Sequence, residues 1–466
     1  MPLKVAAMVG NASSLRLART WVDLGGREAD AGNVVVTGEG GYDSAFAVTD
    51  LAVASVGSAA LALAGLVAAT GGKSPAVTVD RRLASLWFSS SLAPQGWAVP
   101  PLWDALAGDY RTKDGWIRLH TNAAHHRRAA QSVLGPQETR EAMAAAVAGR
   151  DATELESAVV AAGGCAAEMR EAEAWQAHPA GRAVAGEPLA AVTAMPGPGA
   201  GAWAGTAARP LAGLRVLDLT RVLAGPVATR LLAALGADVL RIDPPWWEEP
   251  GVVPEMTVGK RCARLDLTRP EDRAAFETLL ARADVMVHGY RGDALERIGL
   301  GAAVRAARAP HLVDVALDAY GWSGPWAHRR GFDSLVQMSS GIAAAGMRWK
   351  RADRPVPLPV QALDHAAGYA LAAMALRGLT HRAEGGGAFT ARLSLARTAR
   401  LLMDWGPQEE PQTLPPIGEA DLAPGIEQTF WGPARRLNHP FGVAGVALGW
   451  PRGAVPLGAD PARWAN

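Results

Sequence analysis

The chain has 466 residues, enough for two or three domains with their own cores. Lys plus Arg number 46 and Asp plus Glu 45, a net charge of +1 that excludes the basic face of a nucleic-acid binder and any long charged tail. Two cysteines, Cys165 and Cys262, are too few for a disulfide framework or a zinc cluster, and they fit a reducing, cytoplasmic compartment.

Residues 1–20 lack a sustained apolar core and a cleavage signal, so no signal peptide is expected. VVVTG at 34–38 predicts a short strand entering a glycine turn. The uncharged run 51–69 has the length of a membrane span. Its alanines, with Ser55, Gly57, Ser58 and Gly65, favour a buried helix of a soluble protein instead. The stretch 45–80 is echoed at 357–394. Each has an extended run, an Asp (Asp50 or Asp364), an apolar alanine-rich helix, a Gly-Leu pair, a glycine cluster and an alternating strand. Agreement over so long a stretch reads as an internal repeat rather than two coincident helices.

Tyr110 to Leu119 predicts a hairpin turning at Asp114-Gly115, with a helix from about Ala123. His120, His125 and His126 lie close in sequence, but their spacing fits no zinc signature and no metal site is expected. Residues 137–178 predict charged helices broken at Gly163-Gly164. The segment 182–210, rich in Pro, Gly and Ala, reads as a linker.

From 211 the pattern is strand, turn, helix, strand. Val216–Leu219 and Val239–Ile242 are strands around a helix from about Val227 to Leu235. A βαβ unit requires a parallel sheet and a right-handed crossover. Further strands at 284–288 and 310–321 and a helix at 272–282 extend it into a doubly wound open sheet, with a ligand beyond the strand C-termini. No G-x-G-x-x-G follows the first strand, so NAD is not expected. After a proline-punctuated run come Gln361, Asp364 and His365, then a helix whose only charge from Ala366 to Leu379 is Arg377. Asp364 thus stands at a helix N-terminus, either as an ordinary N-cap or as a nucleophile.

Five ordered motifs resemble the class III CoA-transferases, the family of formyl-CoA transferase, carnitine CoA-transferase and the α-methylacyl-CoA racemases. They are VLDLTRVLAGPVATRLLAALGADVLRID, GKRCARLDL, ADVMVHGYRGDALERIGL, GWSGP with GFDSLVQMSSG, and QALDHAAGY, spread over 209–400. The Tyr110–Leu119 hairpin resembles the family's small domain and EAWQAHPAG its return segment. The family order, Rossmann-like part first, is reversed here, which implies a fused or permuted chain.

The resemblance implies an α/β fold, a Rossmann-like open parallel sheet plus a smaller α+β domain. Along the chain it implies a degenerate Asp-helix repeat over 1–98 packed on the large domain and a small α+β domain over 99–181. The linker over 182–210 follows, then the Rossmann-like CoA-binding domain with Asp364 over 211–405 and a C-terminal tail over 406–466.

The resemblance implies an acyl-CoA:carboxylate CoA-transferase in which Asp364 forms an aspartyl anhydride and then an aspartyl-CoA thioester. It places Val222, Leu223 and Ala224 at the nucleotide, Lys260 and Arg261 near the phosphates, and Gly289, Tyr290 and Arg297 on the adenine and diphosphate side. Oxyanion donors are expected from the backbone around Leu223 and Ala224 and from Gly385 to Gly387. CoA or acyl-CoA and a small carboxylic acid are expected as substrates, with no permanently bound cofactor and no metal. The family also implies a homodimer, possibly interlocked, with no membrane or nucleic-acid partner.

Two departures from the family pattern are DPPWWEEPG at 243–251, without the usual Gly-Asp, and Arg291-Gly292-Asp293 in place of Arg-Pro-Gly. Asp50 lacks the flanking Pro, Gln and His of its twin and reads as a cap or vestige. Phe332 precedes Asp333 where the racemases carry a His, so transferase is preferred over racemase. A catalytically silent CoA-binding subunit is the remaining alternative.

Overall fold

The computed structural model describes residues 12–71, 73–197, 203–408 and 411–465. Short runs buried on both faces, such as Val285–His288 and Val313–Asp318, form parallel strands of one central sheet. Across it the order is Arg261–Arg264, Asp238–Asp243, Arg215–Leu219, Val285–His288, Val313–Asp318, Gly386–Ser394, Ala191–Pro196. All neighbours are parallel except the last pair. In chain order the parallel strands run 3-2-1-4-5-6, the order of a dinucleotide-binding sheet. The order reverses between Arg215–Leu219 and Val285–His288, so the crevice beyond Leu219 and His288 is the switch point where ligands of such sheets bind.

The predicted elements are present with shifted ends. The first crossover helix spans Ala224–Ala234, opening three residues before Val227, and the next spans Pro270–Leu280.

The repeat is structural as well as sequential. The Asp50 helix, Val48–Gly71, and the Asp364 helix, Ala362–Ala383, run side by side in the largest core. Each lies within a crossover between parallel strands, from Val34–Thr37 to Val77–Asp80 and from Val313–Asp318 to Gly386–Ser394. Each second strand then runs directly into a helix capped by its own last residue. Asp80 accepts from the Leu83 N–H at 2.8 Å, and Ser394 from the Arg397 N–H at 3.2 Å. The helix Val48–Gly71 is long and apolar enough to cross a membrane, but it is largely buried inside the protein. Burial on all sides is why it is apolar on all sides.

Residues 99–181 hold strands and helices of their own. Gly108–Arg111, Trp116–Leu119 and Ala166–Glu168 form an antiparallel sheet. The helices Ala124–Leu134, Arg140–Ala148 and Ala152–Ala161 cover it around a separate core that includes Tyr110, Ile117, Met143 and Leu155.

Two expected boundaries need correction. The 182–210 stretch is more than a linker: Ala191–Pro196 pairs antiparallel with Gly386–Ser394 and closes the edge of the central sheet. Its composition hid this because an edge strand with exposed side chains needs no apolar alternation. Residues 406–466 are not a loose tail either. Gly432–Arg436 pairs with Leu92–Pro94, and Phe441–Val443 pairs with Val77–Asp80. The buried Glu255 carboxylate ties these parts together, accepting from Ser91, Arg230 and Arg436.

Candidate active site

Asp364 is the third residue of its helix and only 7% exposed. It is not the N-cap. The helix's free backbone N–H groups are taken by another carboxylate, Asp333, which accepts from Leu363 N at 2.8 Å and Asp364 N at 3.0 Å. The Gln337 side-chain amide donates to the same carboxylate and its carbonyl accepts from Leu358 N at 2.7 Å. Freed from capping, the Asp364 carboxyl has no protein partner among the described residues. Burial, and then the charge of Asp333, raise its pKa well above the usual carboxylate range. Burial raises Asp333 to about 6, with its hydrogen bonds working the other way. Two adjacent carboxyls in a dry pocket cannot both ionise freely, so they titrate as a pair. His365 stacks on Phe88 at 5.3 Å, and burial lowers its pKa to about 3, so it is neutral.

The loop after the first central strand faces this helix. Gly368 lies one turn beyond Asp364, and a Cβ there would sit 2.4 Å from the Ala224 carbonyl and 2.7 Å from Val227. The missing side chain lets the Ala224–Ala234 helix approach the head of the Asp364 helix. Val222 has φ 63°, a conformation costly for a β-branched residue and concentrated at functional sites. Its N–H donates to Glu249 at 2.9 Å, and Glu249 is itself held by Arg241 at 2.5 Å and the Trp247 indole at 2.7 Å. The atypical DPPWWEEPG segment therefore braces this loop. Arg221 lies over the rings of Trp247 (4.6 Å) and Tyr290 (5.3 Å) and donates to the Tyr290 hydroxyl at 3.3 Å. Gly289 N hydrogen-bonds the Leu219 carbonyl at 3.3 Å. Val222, Leu223, Ala224, Gly289 and Tyr290 thus gather at the switch point. Arg297 is exposed, and both it and Arg291 pair with Asp293.

Other expected residues are elsewhere. Lys260 is fully buried, donating to Asp218 at 2.9 Å, Thr229 at 2.6 Å and the Pro226 carbonyl at 3.1 Å. Its ammonium has no face left for a phosphate. Arg261 grips Asp238 at 2.7 Å on the sheet's edge strand. Gly385 to Gly387 follow the far end of the Asp364 helix, about 30 Å from Asp364 at the helical rise, and cannot supply oxyanion donors there. The pairing of both cations is tertiary and leaves no mark in local sequence.

Residues 211–425 match the family model described as CoA-transferase family III. A probable fatty acyl-CoA transferase of Mycobacterium tuberculosis is 35% identical over 193 residues, covering 38% of this chain and 48% of the relative. The succinyl-CoA:glutarate CoA-transferase of Mus musculus is 34% identical over 163 residues, covering 31% of this chain and 37% of the relative. A crystal structure of the M. tuberculosis protein aligns at 32% identity over 41% of this chain and 56% of that one, with a TM-score of 0.38. The chain spans about half or less of the length of these curated relatives.

The matched segment, 211–425, contains Asp364, Asp333 and the switch-point loops, and the small domain outside it packs against the Arg329–Phe332 stretch. His120 stacks on Phe332 with ring centroids 3.8 Å apart and planes within 3°. Arg329 donates to Glu156 and to the Ala166 carbonyl, both at 2.9 Å. Sequence reasoning noted Asp333 only as the neighbour of Phe332, and it missed Arg221 and Glu249. The GFDSL motif was a signal for Asp333. Its meeting with Asp364 N is a contact between two helices that sequence does not display.

Asp333→Asn should move the acid limb of the kcat/KM pH profile to lower pH. Asn keeps an oxygen for the two backbone N–H groups but removes the like charge that helps raise Asp364. A limb that stays in place or moves upward counts against this coupling.

Proposed function

We propose that the chain is an acyl-CoA:carboxylate CoA-transferase that works through Asp364. The observation carrying the reading is the unpartnered, buried Asp364 carboxyl at the head of a helix whose capping is done by Asp333. The family III match and the relatives named as CoA-transferases support the class of reaction.

An ionised Asp364 oxygen attacks the acyl carbon of the donor thioester. The C–S bond breaks, CoA leaves as thiolate, and a mixed aspartyl anhydride remains. The thiolate then attacks the aspartyl carbonyl, releasing the donor acid as its carboxylate and leaving an aspartyl-CoA thioester. The acceptor carboxylate attacks that thioester and expels the thiolate, forming a second anhydride. The thiolate takes the new acyl group and restores the Asp364 carboxylate. Each oxyanion formed on the way needs a fixed donor. The backbone at Leu223 and Ala224, brought close by Gly368, is suited to that role.

CoA carries a diphosphate and a 3′-phosphate. In this reading they lie at the switch point, with Arg291 and Arg297, on the segment that follows Tyr290, as their cations. CoA comes and goes as a substrate.

Incubation with a panel of acyl-CoAs and quenching with hydroxylamine should place a hydroxamate on Asp364, read by peptide mass spectrometry. Hydroxylamine intercepts anhydride and thioester alike. CoA binding without any hydroxamate from any donor would point instead to a silent CoA-binding subunit.

A further inference from the structure

Beyond the His120–Phe332 stack, the three small-domain histidines have no part in the reaction described so far. His126 is 3% exposed, and neither of its ring nitrogens has a partner among the described residues. His120 is 4% exposed and its Nδ1 is likewise unmet. Buried polar atoms almost always find hydrogen bonds, so an imidazole open at both nitrogens calls for an occupant. Among the described residues no group of three or more His, Cys, Asp or Glu side chains is placed to hold a metal.

The surroundings favour an anion. The His125 and His126 rings are 4.1 Å apart, and His125 lies 6.4 Å from Trp247, the ring on which Arg221 rests. Arg330 reaches over from the loop before Phe332, donating to the Gly163 carbonyl at 3.0 Å. Burial, then the neighbouring His125 and His120, and after them Arg330 and Arg221, lower His126 to about 3, so its ring is neutral. A neutral ring offers one N–H without adding a buried charge, while the guanidiniums supply the attraction.

Position decides which anion. His126 packs edge-on to Phe332 at 5.8 Å, and Phe332 adjoins Asp333, which caps the Asp364 helix. Phe332 thus links the histidines to the carboxylate that caps the Asp364 helix. Arg291 and Arg297, on the segment that follows Tyr290, would take the CoA phosphates. We propose that His126, with Arg221 and Arg330, receives a carboxylate of the acyl or acceptor substrate where the small domain meets the Arg330–Phe332 stretch. The identity of the anion rests on the transferase reading, and the site itself rests on the contacts above.

Calorimetric titration of the full chain with succinate, and separately with CoA, tests this without turnover. His126→Phe should weaken succinate by about tenfold or more, since it removes the buried donor. His126→Gln, which keeps a donor, should restore most of that loss, and CoA affinity should hold in both. Arg330→Met, a change at an exposed residue that leaves the core intact, should weaken succinate similarly should the Phe variant fail to fold. The proposal is overturned if the wild type does not bind succinate or if these variants leave succinate binding unchanged. Parallel loss of CoA and succinate also overturns it, because the site would then hold a CoA phosphate. Succinate binding that depends on His126 in a protein forming no hydroxamate would retain the carboxylate site while rejecting the transferase reaction.

Discussion

Asp364→Ala is expected to reduce acyl transfer by roughly 10⁴-fold or more, the scale seen when a covalent nucleophile is deleted. CoA should still bind, because the switch-point loop takes its shape from Glu249, Arg241 and Trp247 rather than from Asp364. Steady-state turnover alongside CoA titration separates the two effects, and turnover that survives the change would remove Asp364 from the mechanism. The same residue costs the fold stability. Its folded pKa lies above its unfolded one, so stability falls as pH rises from the unfolded carboxyl value toward the raised folded value. Asp364→Asn, which cannot ionise, should therefore match or exceed the wild type by about 0.5–2 kcal/mol in denaturant unfolding at high pH.

Lys260→Ala should act in the opposite sense, harming the fold and sparing the site. Lys260 and Asp218 are both fully buried, with Thr220 and Thr229 completing the carboxylate's hydrogen bonds at 2.5 and 2.6 Å. Burial works to raise Asp218, and Lys260 together with Arg241 outweighs it, holding the carboxyl below its ordinary range. Removing the ammonium strands a buried carboxylate between the first two strands of the sheet. Unfolding in guanidinium should show a loss of about 3–5 kcal/mol. Adding Asp218→Asn to Lys260→Met should recover much of it by removing the unpaired charge. CoA affinity of the folded fraction should change by less than about threefold, since a phosphate contact contributes far more than that. A large loss of CoA affinity with normal stability would return Lys260 to the phosphate site.

The sequence by itself determined the parts governed by local pattern. Buried runs such as VMVH and the all-apolar helices after Asp50 and Asp364 fold as read, because burial on every side demands apolar residues on every side. The hairpin at Asp114-Gly115 follows from turn chemistry, and the switch point follows from strand order once the βαβ pattern is clear. Tertiary structure alone decided which charges are free. Lys260 and Arg261 carry the same side chains as a phosphate site requires, but Asp218, 42 residues earlier, and Asp238, 23 residues earlier, already hold them. It also decided the chemistry of Asp364, through a second carboxylate 31 residues away that takes the helix N–H groups and leaves Asp364 unpaired. Asp50 shows the contrast. It heads a helix of the same kind, yet Ser13, Arg16 and Arg81 close around it and its pKa is lowered despite burial. Helix propensity and apolar pattern are nearly shared by the two copies. What separates them is which partners reach each carboxylate through space, a property of packing that neighbouring residues in sequence do not encode.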